Sequence, residues 1–434
     1  MPGINHRSSN IERTGGFELK EIILKGLASN LRAALLEDGE LVEVFEGDGV
    51  QAGLVGNIYQ GRVENVLPGM QAAFVDIGLE RNAFLYVGDA VPPRTLEEEE
   101  RQAAPESIRV ENVLKSRQEL LVQIIKEPVG NKGARITTNL TVAGRHVVLV
   151  PNVDHVGVSR KIVEGAERER LRQLANVIRP KGIGLIIRTL AAGIRAEEMR
   201  EDVEELMELW ADIQEKVSHV AVPGIVRREV DLIARLVRDL MDPDIARLTA
   251  DDADVAATLR SALQNIGHPA ANQVFVDMRG DLFERLGVDD EIRKALRPKV
   301  WLKSGGYLVV NRTEALVAID VNTGKYIGKS SLQETVLHTN LEAAREIARQ
   351  LRLRNLGGII IVDFIDMFSE TDKEQVLKTL SDACAGDRLK CEVLGLTQLG
   401  LIEMTRKKSG QALAARYTRP CSACDGAGYL TNQF

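Results

Sequence analysis

Two apolar runs, each ending in an acidic cluster, stand out along the chain. Ala315-Leu316-Val317-Ala318-Ile319 leads into Asp320-Val321-Asn322, and Gly358-Ile359-Ile360-Ile361-Val362 leads into Asp363-Phe364-Ile365-Asp366. Continuous apolar runs of this length predict buried strands. Between them, residues 331 to about 354 read as one helix that ends at Leu356-Gly357-Gly358. Strand, helix, strand predicts a βαβ unit with parallel strands and a right-handed crossover. If the strands are neighbours, Asp320 and Asp363 emerge at their carboxyl ends, where open α/β sheets place ligands. Close carboxylates repel one another unless a cation sits between them. Hard oxygen donors with no nearby His or Cys suit Mg²⁺ or Mn²⁺. One Asp after a strand is most simply a turn or helix cap. Two, joined by a crossover helix, favour a metal site. Asp366 also fits a turn cap.

Elsewhere the pattern changes character several times. Residues 21–41 predict a strand and turn, with Asp38-Gly39 a hairpin signal. Residues 54–128 predict short strands punctuated by glycine, and so a small barrel. A solvated insertion at 91–106, with Pro92, Pro93, Pro105 and four consecutive Glu, interrupts it. Phe74 and Phe84 fall on barrel strands. On residue type alone both read as core, although exposed aromatics on such barrels stack unpaired bases. Residues 132–217 mix strands and helices, with buried strands expected at 147–151 and 184–187. The second runs into Arg188-Thr189, a guanidinium beside a hydroxyl, both able to donate to phosphate oxygens. Met199, Val203, Leu206, Trp210, Ile213 and Val217 recur at helical spacing. Glu198, Glu201, Asp202, Glu205, Glu208 and Asp212 occupy the other face, which reads as a solvated surface. Residues 222 to about 297 read as largely helical, and 300–320 as an antiparallel pair turning at Ser304-Gly305-Gly306.

Composition narrows the class. The chain has 434 residues, 44% hydrophobic and 27% charged, which suits a soluble globular protein of two to four domains. No apolar run is long enough to cross a bilayer. The first residues are polar, with no secretory core, and read as a loose extension. Four Cys in this length argue for a reducing cytoplasm and against a disulfide scaffold. Net charge is −7, yet residues 387–434 carry seven Lys/Arg against four acids, a local +3 close to the proposed metal strands. Cys421-Ser422-Ala423-Cys424-Asp425-Gly426-Ala427-Gly428 forms a zinc-knuckle-like turn, but gives two of the four ligands that structural Zn²⁺ takes. Cys384 and Cys391 could supply the others, or a second copy of the chain could donate its own pair. Redox chemistry is a third option.

Long strings carry a more specific signal. They include Val66-Leu67-Pro68-Gly69-Met70-Gln71-Ala72-Ala73-Phe74-Val75-Asp76-Ile77-Gly78, Asn131-Lys132-Gly133-Ala134-Arg135, Thr339-Asn340-Leu341-Glu342-Ala343 and Gly400-Leu401-Ile402-Glu403-Met404-Thr405-Arg406-Lys407. On these the chain, over about residues 21–428, resembles the bacterial ribonuclease E/G family. The resemblance implies an α+β multidomain fold. Beyond a polar extension at 1–18, it implies a split ribonuclease-H-like subdomain at 19–48 and 222–295 and an S1 (OB-like) barrel at 49–128. A 5′-sensor at 129–221, a deoxyribonuclease-I-like catalytic subdomain at 296–418 and a zinc-link at 419–434 complete the expected layout.

It also implies roles for residues. Asp320 and Asp363 would hold catalytic Mg²⁺, with Asn322 as supporting amide. Phe74, Phe84, Lys132, Arg160 and Lys390 would contact RNA, which reverses the core reading of the two Phe. Arg188 and Thr189, with the Val148 backbone, would hold a 5′-monophosphate. Cys421 and Cys424 would share Zn²⁺ across a homodimer. Because the chain ends soon after this link, the family's small C-terminal domain is not expected, nor is higher assembly through it. The implied activity is Mg²⁺-dependent cleavage of single-stranded RNA, stimulated by a 5′-monophosphate, in ribosomal RNA maturation and messenger RNA decay. Attack by water would leave 5′-phosphate and 3′-hydroxyl ends. The rival readings are a non-catalytic RNA-binding or ribosome-assembly factor and a zinc chaperone.

Overall fold

The computed structural model describes residues 19–27, 30–47, 54–91, 108–128, 132–151, 153–229, 231–241, 244–324, 331–419, 421–424, 426, 428 and 430. The expected extension at 1–18 and almost all of the acidic insertion lie outside the described residues.

The chain opens with an antiparallel meander, β1 (Lys20–Lys25), β2 (Arg32–Glu37) and β3 (Glu40–Glu46). Asp38 (φ 49°) and Gly39 (φ 81°) turn β2 into β3, left-handed backbone that Asp and Gly tolerate best. Next come β4 (Ile58–Leu67), β5 (Ala72–Asp76), β6 (Ala83–Tyr86), β7 (Glu119–Lys126) and β8 (Arg135–Thr137). They pair in the order β4-β5-β6-β8-β7, and β7 pairs back onto β4. This closes a five-stranded barrel, consistent with an S1 or OB-like domain. Its β8 strand lies beyond residue 128, inside the segment expected to belong to the sensor. A short helix, Val110–Val113, also interrupts the region expected to be all-β.

A third unit places β9 (Val142–Ala143), β10 (Val147–Pro151), β11 (Val156–Val158) and β12 (Ile183–Ile187) under helices α1 (Gly165–Ile178) and α2 (Ala196–Val217). The apolar stripe of α2 is buried, as its spacing predicts. Its acidic face is not wholly a solvated surface. Asp202 accepts hydrogen bonds from the N–H groups of Arg145 (3.1 Å), His146 (2.8 Å) and Val147 (2.8 Å), and so anchors the start of β10. After β13 (Gly224–Arg227), an edge strand on β4, the chain returns to its opening sheet. Here the largely helical expectation holds only in part. Helices α3 (Leu232–Leu240) and α4 (Ala253–Asn265) alternate with strands β14 (Ile245–Ala250) and β15 (Val274–Val276), which complete the order β15-β14-β1-β2-β3. After α5 (Val288–Ala295) the last sheet begins.

That sheet contains β16 (Lys299–Trp301), β17 (Tyr307–Arg312), β18 (Leu316–Asn322), β19 (Gly358–Asp363), β20 (Cys391–Leu396) and β21 (Ile402–Arg406), ordered β16-β17-β18-β19-β21-β20. Between β18 and β19 runs α6 (Leu332–Leu353), with Ser331 capping its first turn through the Glu334 N–H (3.1 Å). Asn355, at φ 46°, ends it in the left-handed conformation, and its side chain ties down the carbonyls of Ser409 and Gln411. Helix α6 and α7 (Glu370–Ala385) share the core with Val317, Ile319, Val321, Ile360, Val362, Ile402 and Met404. The opposite face of this sheet is exposed at alternate positions, including Asp320, Ile359, Asp363 and Glu403.

Helix α6 also binds the opening sheet. Arg352 makes a bidentate pair with Glu37 (2.8 Å twice) and reaches Glu43 (3.2 Å). Beneath the neck of β21, Arg406 and Asp387 form a pair only 3% and 4% exposed, at 2.6 Å, and Arg406 also donates to the Leu356 carbonyl (2.7 Å). Removing one member of a buried pair strands its partner's charge. Asp387→Ala is therefore expected to destabilise the protein by about 3–5 kcal/mol, read as a lowered urea midpoint. Asp387→Asn, which keeps one acceptor for Arg406, is expected to lose less.

Candidate functional site

Asp320 and Asp363 are register partners across the parallel strands β18 and β19. Adjacent strands lie about 4.8 Å apart, and register partners point to the same face. Their neighbours Ile319 and Val362 face the helices and are buried, whereas both aspartates are exposed on the open face. Asn322, two residues along β18, donates from Nδ2 to the Asp320 carboxylate at 2.7 Å. Asp366 is also exposed. The loop that carries it is clamped by Asn340, fully buried on α6, which donates to the Ile365 carbonyl (2.8 Å) and accepts from the Ile365 N–H (3.2 Å). Two adjacent carboxylates and an amide oxygen suit a hard divalent ion that retains much of its water, as Mg²⁺ does.

On the barrel, Phe74 and Phe84 are also register partners, with ring centroids 6.1 Å apart and planes at 67°. Alternation turns Ala73, Val75, Ala83 and Leu85 into the barrel core and leaves both Phe half-buried on the outer surface. The core reading therefore does not hold. Lys132 is exposed at the approach to β8. Next to it, Gly133 lies so close to β6 that a Cβ would sit 2.0 Å from the Asn82 carbonyl, which requires glycine there.

The anion pair at the end of β12 is engaged. Arg188 donates to Asp239 Oδ1 (2.7 Å) and to the Gly144 carbonyl (2.6 Å), and the Thr189 hydroxyl meets that of Ser159 at 2.8 Å. Val148 lies on β10, in register with Ile186 of β12, and Arg160 is exposed just beyond Ser159. The next residue, Lys161, donates to the carbonyls of Asp387 and Arg388 (3.1 Å to the second), so this unit touches the loop leading to β20. Lys390, at that loop, is exposed and pairs with Glu392 (2.8 Å).

The Cys421 thiol is held below its ordinary range by the N–H groups of Ala423 and Cys424, and Cys424 accepts from the Gly428 N–H at 3.4 Å. Amides aimed at sulfur are what thiolate ligands need. Among the described residues no group of three or more His, Cys, Asp or Glu is placed to hold a metal. That removes the option in which Cys384 and Cys391 complete a four-cysteine site within one chain. Those two lie instead at the end of α7 and the start of β20, Cys384 buried in the core of the last sheet.

Three positioning residues escaped the sequence reading: Asp202, Asp239 and Asn340. A polar Asn on the buried stripe of a helix was a usable signal for the third. Asp202 and Asp239 read as ordinary helical acids, because the Arg145–Val147 backbone and Arg188 that they hold lie far away in sequence.

The ribonuclease E/G family model matches residues 141–409. The chain is 40% identical over 410 residues to ribonuclease G of Haemophilus influenzae, covering 94% of this chain and 83% of that protein. It is 39% identical over 409 residues to ribonuclease G of Escherichia coli, covering 94% and 84%. With ribonuclease E of a Nostoc species it shares 42% identity over 407 residues, 91% of this chain and 58% of that one.

Asp239 sets a pH test. Burial pushes its carboxyl upward, but hydrogen bonds and charge from Arg238 and Arg188 outweigh this and leave it below the usual range. A lowered carboxyl contributes stability that is complete above the unfolded value of about 3.9 and is lost as pH falls through the folded value. The stability gap between wild type and Asp239→Asn, from urea melts, should be constant from pH 7 to pH 5 and shrink in stronger acid.

Proposed function

The chain belongs to the ribonuclease E/G family and is an endoribonuclease, and from that premise we propose that it cuts single-stranded RNA on the open face of its last sheet. The observation that carries this reading is the in-register pairing of Asp320 with Asp363 beside Asn322. The carboxylates of Asp320 and Asp363 would hold Mg²⁺, which would offset charge at the scissile phosphate and lower the pKa of the attacking water. Asn322 donates one N–H to Asp320, and its carbonyl oxygen would be left to accept a hydrogen bond from that water and orient it in line. The 2′-hydroxyl takes no part, so cleavage leaves 5′-phosphate and 3′-hydroxyl ends.

The remaining residues select and hold substrate. Phe74 and Phe84 stack unpaired bases, which a duplex cannot offer. Lys132, Arg160 and Lys390 meet the backbone phosphates. Arg188 and Thr189, with the Val148 backbone, receive a 5′-monophosphate, which must displace Asp239 from Arg188. A phosphate monoester, near −2 in charge, competes well against one carboxylate. Cys421 and Cys424 share Zn²⁺ with the same pair of a second copy, making a homodimer. No helix among the described residues is long and apolar enough to cross a membrane, and we place the protein in the cytoplasm, acting on ribosomal RNA precursors and messenger RNA.

The test is a cleavage assay on a 5′-monophosphorylated single-stranded RNA. EDTA should abolish cleavage and added Mg²⁺ restore it. Asp320→Asn and Asp363→Asn should each remove activity while leaving the fold intact by circular dichroism, and Asn322→Ala should cost about 10–100-fold. RNA binding without cleavage at any divalent concentration would instead mark a non-catalytic binding protein. Replacing Cys421 and Cys424 by Ser should release zinc and halve the particle mass.

A further inference from the structure

The chain has two tryptophans. Trp210 is buried on α2, whereas Trp301, on the edge strand β16, is 60% exposed. An exposed Trp is unusual enough to ask what covers it. Trp301 pairs in register with Tyr307, and Tyr307 with Asn322. Register partners share a face, so the two rings lie in one row with Asn322, on the same side of the sheet as Asp320 and Asp363. Their centroids are 5.4 Å apart with planes at 63°. The Lys299 ammonium sits 4.1 Å from the Trp301 ring centroid and 3.5 Å from that of Tyr307. Among the described residues no carboxylate pairs with Lys299.

We propose that Trp301 and Tyr307, with Lys299, form a base-stacking subsite on the cleavage face, taking an unpaired nucleobase next to the scissile linkage. This rests on the reading of Asp320 and Asp363 as the cleavage centre. Two strand spacings separate β16 from β18, about 10 Å, which is within reach of a neighbouring nucleotide. The platform combines what a single strand offers: a π-face for the indole and phenol rings and a phosphate for the ammonium. The aspartates already require RNA on this face. An exposed ammonium against the two rings suits a polyanion with π-faces better than an apolar protein surface, which would have to desolvate it. The subsite is separate from the Phe74 and Phe84 pair, which belongs to the barrel. Stacking tolerates any base, so Trp301 strengthens substrate binding broadly rather than choosing a sequence.

Tryptophan fluorescence reports on this subsite directly, because Trp210 is shielded and Trp301 is not. In an Asp320→Asn background, titration with a single-stranded RNA oligonucleotide should quench the emission. The Trp301→Phe change should abolish the quench while changing affinity only a few-fold. The Trp301→Ala change should weaken RNA binding by about 5- to 150-fold, the range for loss of one stacked base. In the active chain, Trp301→Ala should raise KM more than it lowers kcat. Unchanged affinity and no quench on RNA binding would overturn the subsite. So would a Trp301→Ala variant whose particle mass falls while its RNA affinity stays the same, since the face would then be a contact between copies. If the wild type fails to cleave RNA but the quench and its loss are seen, the cleavage reading falls and the stacking platform stands.

Discussion

Everything at the candidate site depends on one strand pairing. Strands β18 and β19 run parallel, with Asp320 opposite Asp363. Side chains alternate with a period of two, so a slip of one residue would send every side chain to the other face. Ile319 and Val362 lock the register by burying themselves beneath α6 and α7. A slipped strand would expose them and drive a carboxylate into the core, which is strongly unfavourable without a partner. The apolar side of the sheet thus decides where the acidic side presents its oxygens.

Helix α6 ties this arrangement to the rest of the molecule. One side packs on its own sheet through Ala343, Ala344, Ile347 and Leu351. Another side sends Arg352 to Glu37 and Glu43 of the opening sheet, and Glu43 also accepts from Arg388. Its buried Asn340 fixes the loop after Asp363. The same neighbourhood meets the unit built on β9–β12, because Lys161 caps the carbonyls of Asp387 and Arg388 while the Asp387 carboxylate holds Arg406. A short chain of polar contacts therefore joins the strand end that carries Arg188 to the strands flanking the aspartates.

Local pattern revealed what local forces build. The βαβ unit, the Asp38-Gly39 hairpin, the stripe of α2 and the turn at Ser304-Gly305-Gly306 each leave a periodic or turn signature that needs no distant partner. Strands β14 and β15 were illegible for the opposite reason. Residues 245–250 become a strand only because β1, more than two hundred residues earlier in the chain, offers them a parallel edge. The outward turn of Phe74 and Phe84 depends on which barrel face closes, so residue type alone pointed the wrong way. Arg188 read as a free anion donor because nothing nearby in sequence marks Asp239 as its partner. Composition likewise could not show that the two cysteine pairs stay apart.

Direct observation of the bound ion is the sharpest test of that paired-aspartate centre. Mn²⁺ is a spectroscopic stand-in for Mg²⁺, and its paramagnetic resonance signal counts bound ions without reference to catalysis. Wild-type protein should hold one Mn²⁺ at this site per chain, displaced by excess Mg²⁺ and lost in both Asp320→Asn and Asp363→Asn. Undiminished Mn²⁺ binding in either folded variant would show that the two aspartates do not share a cation.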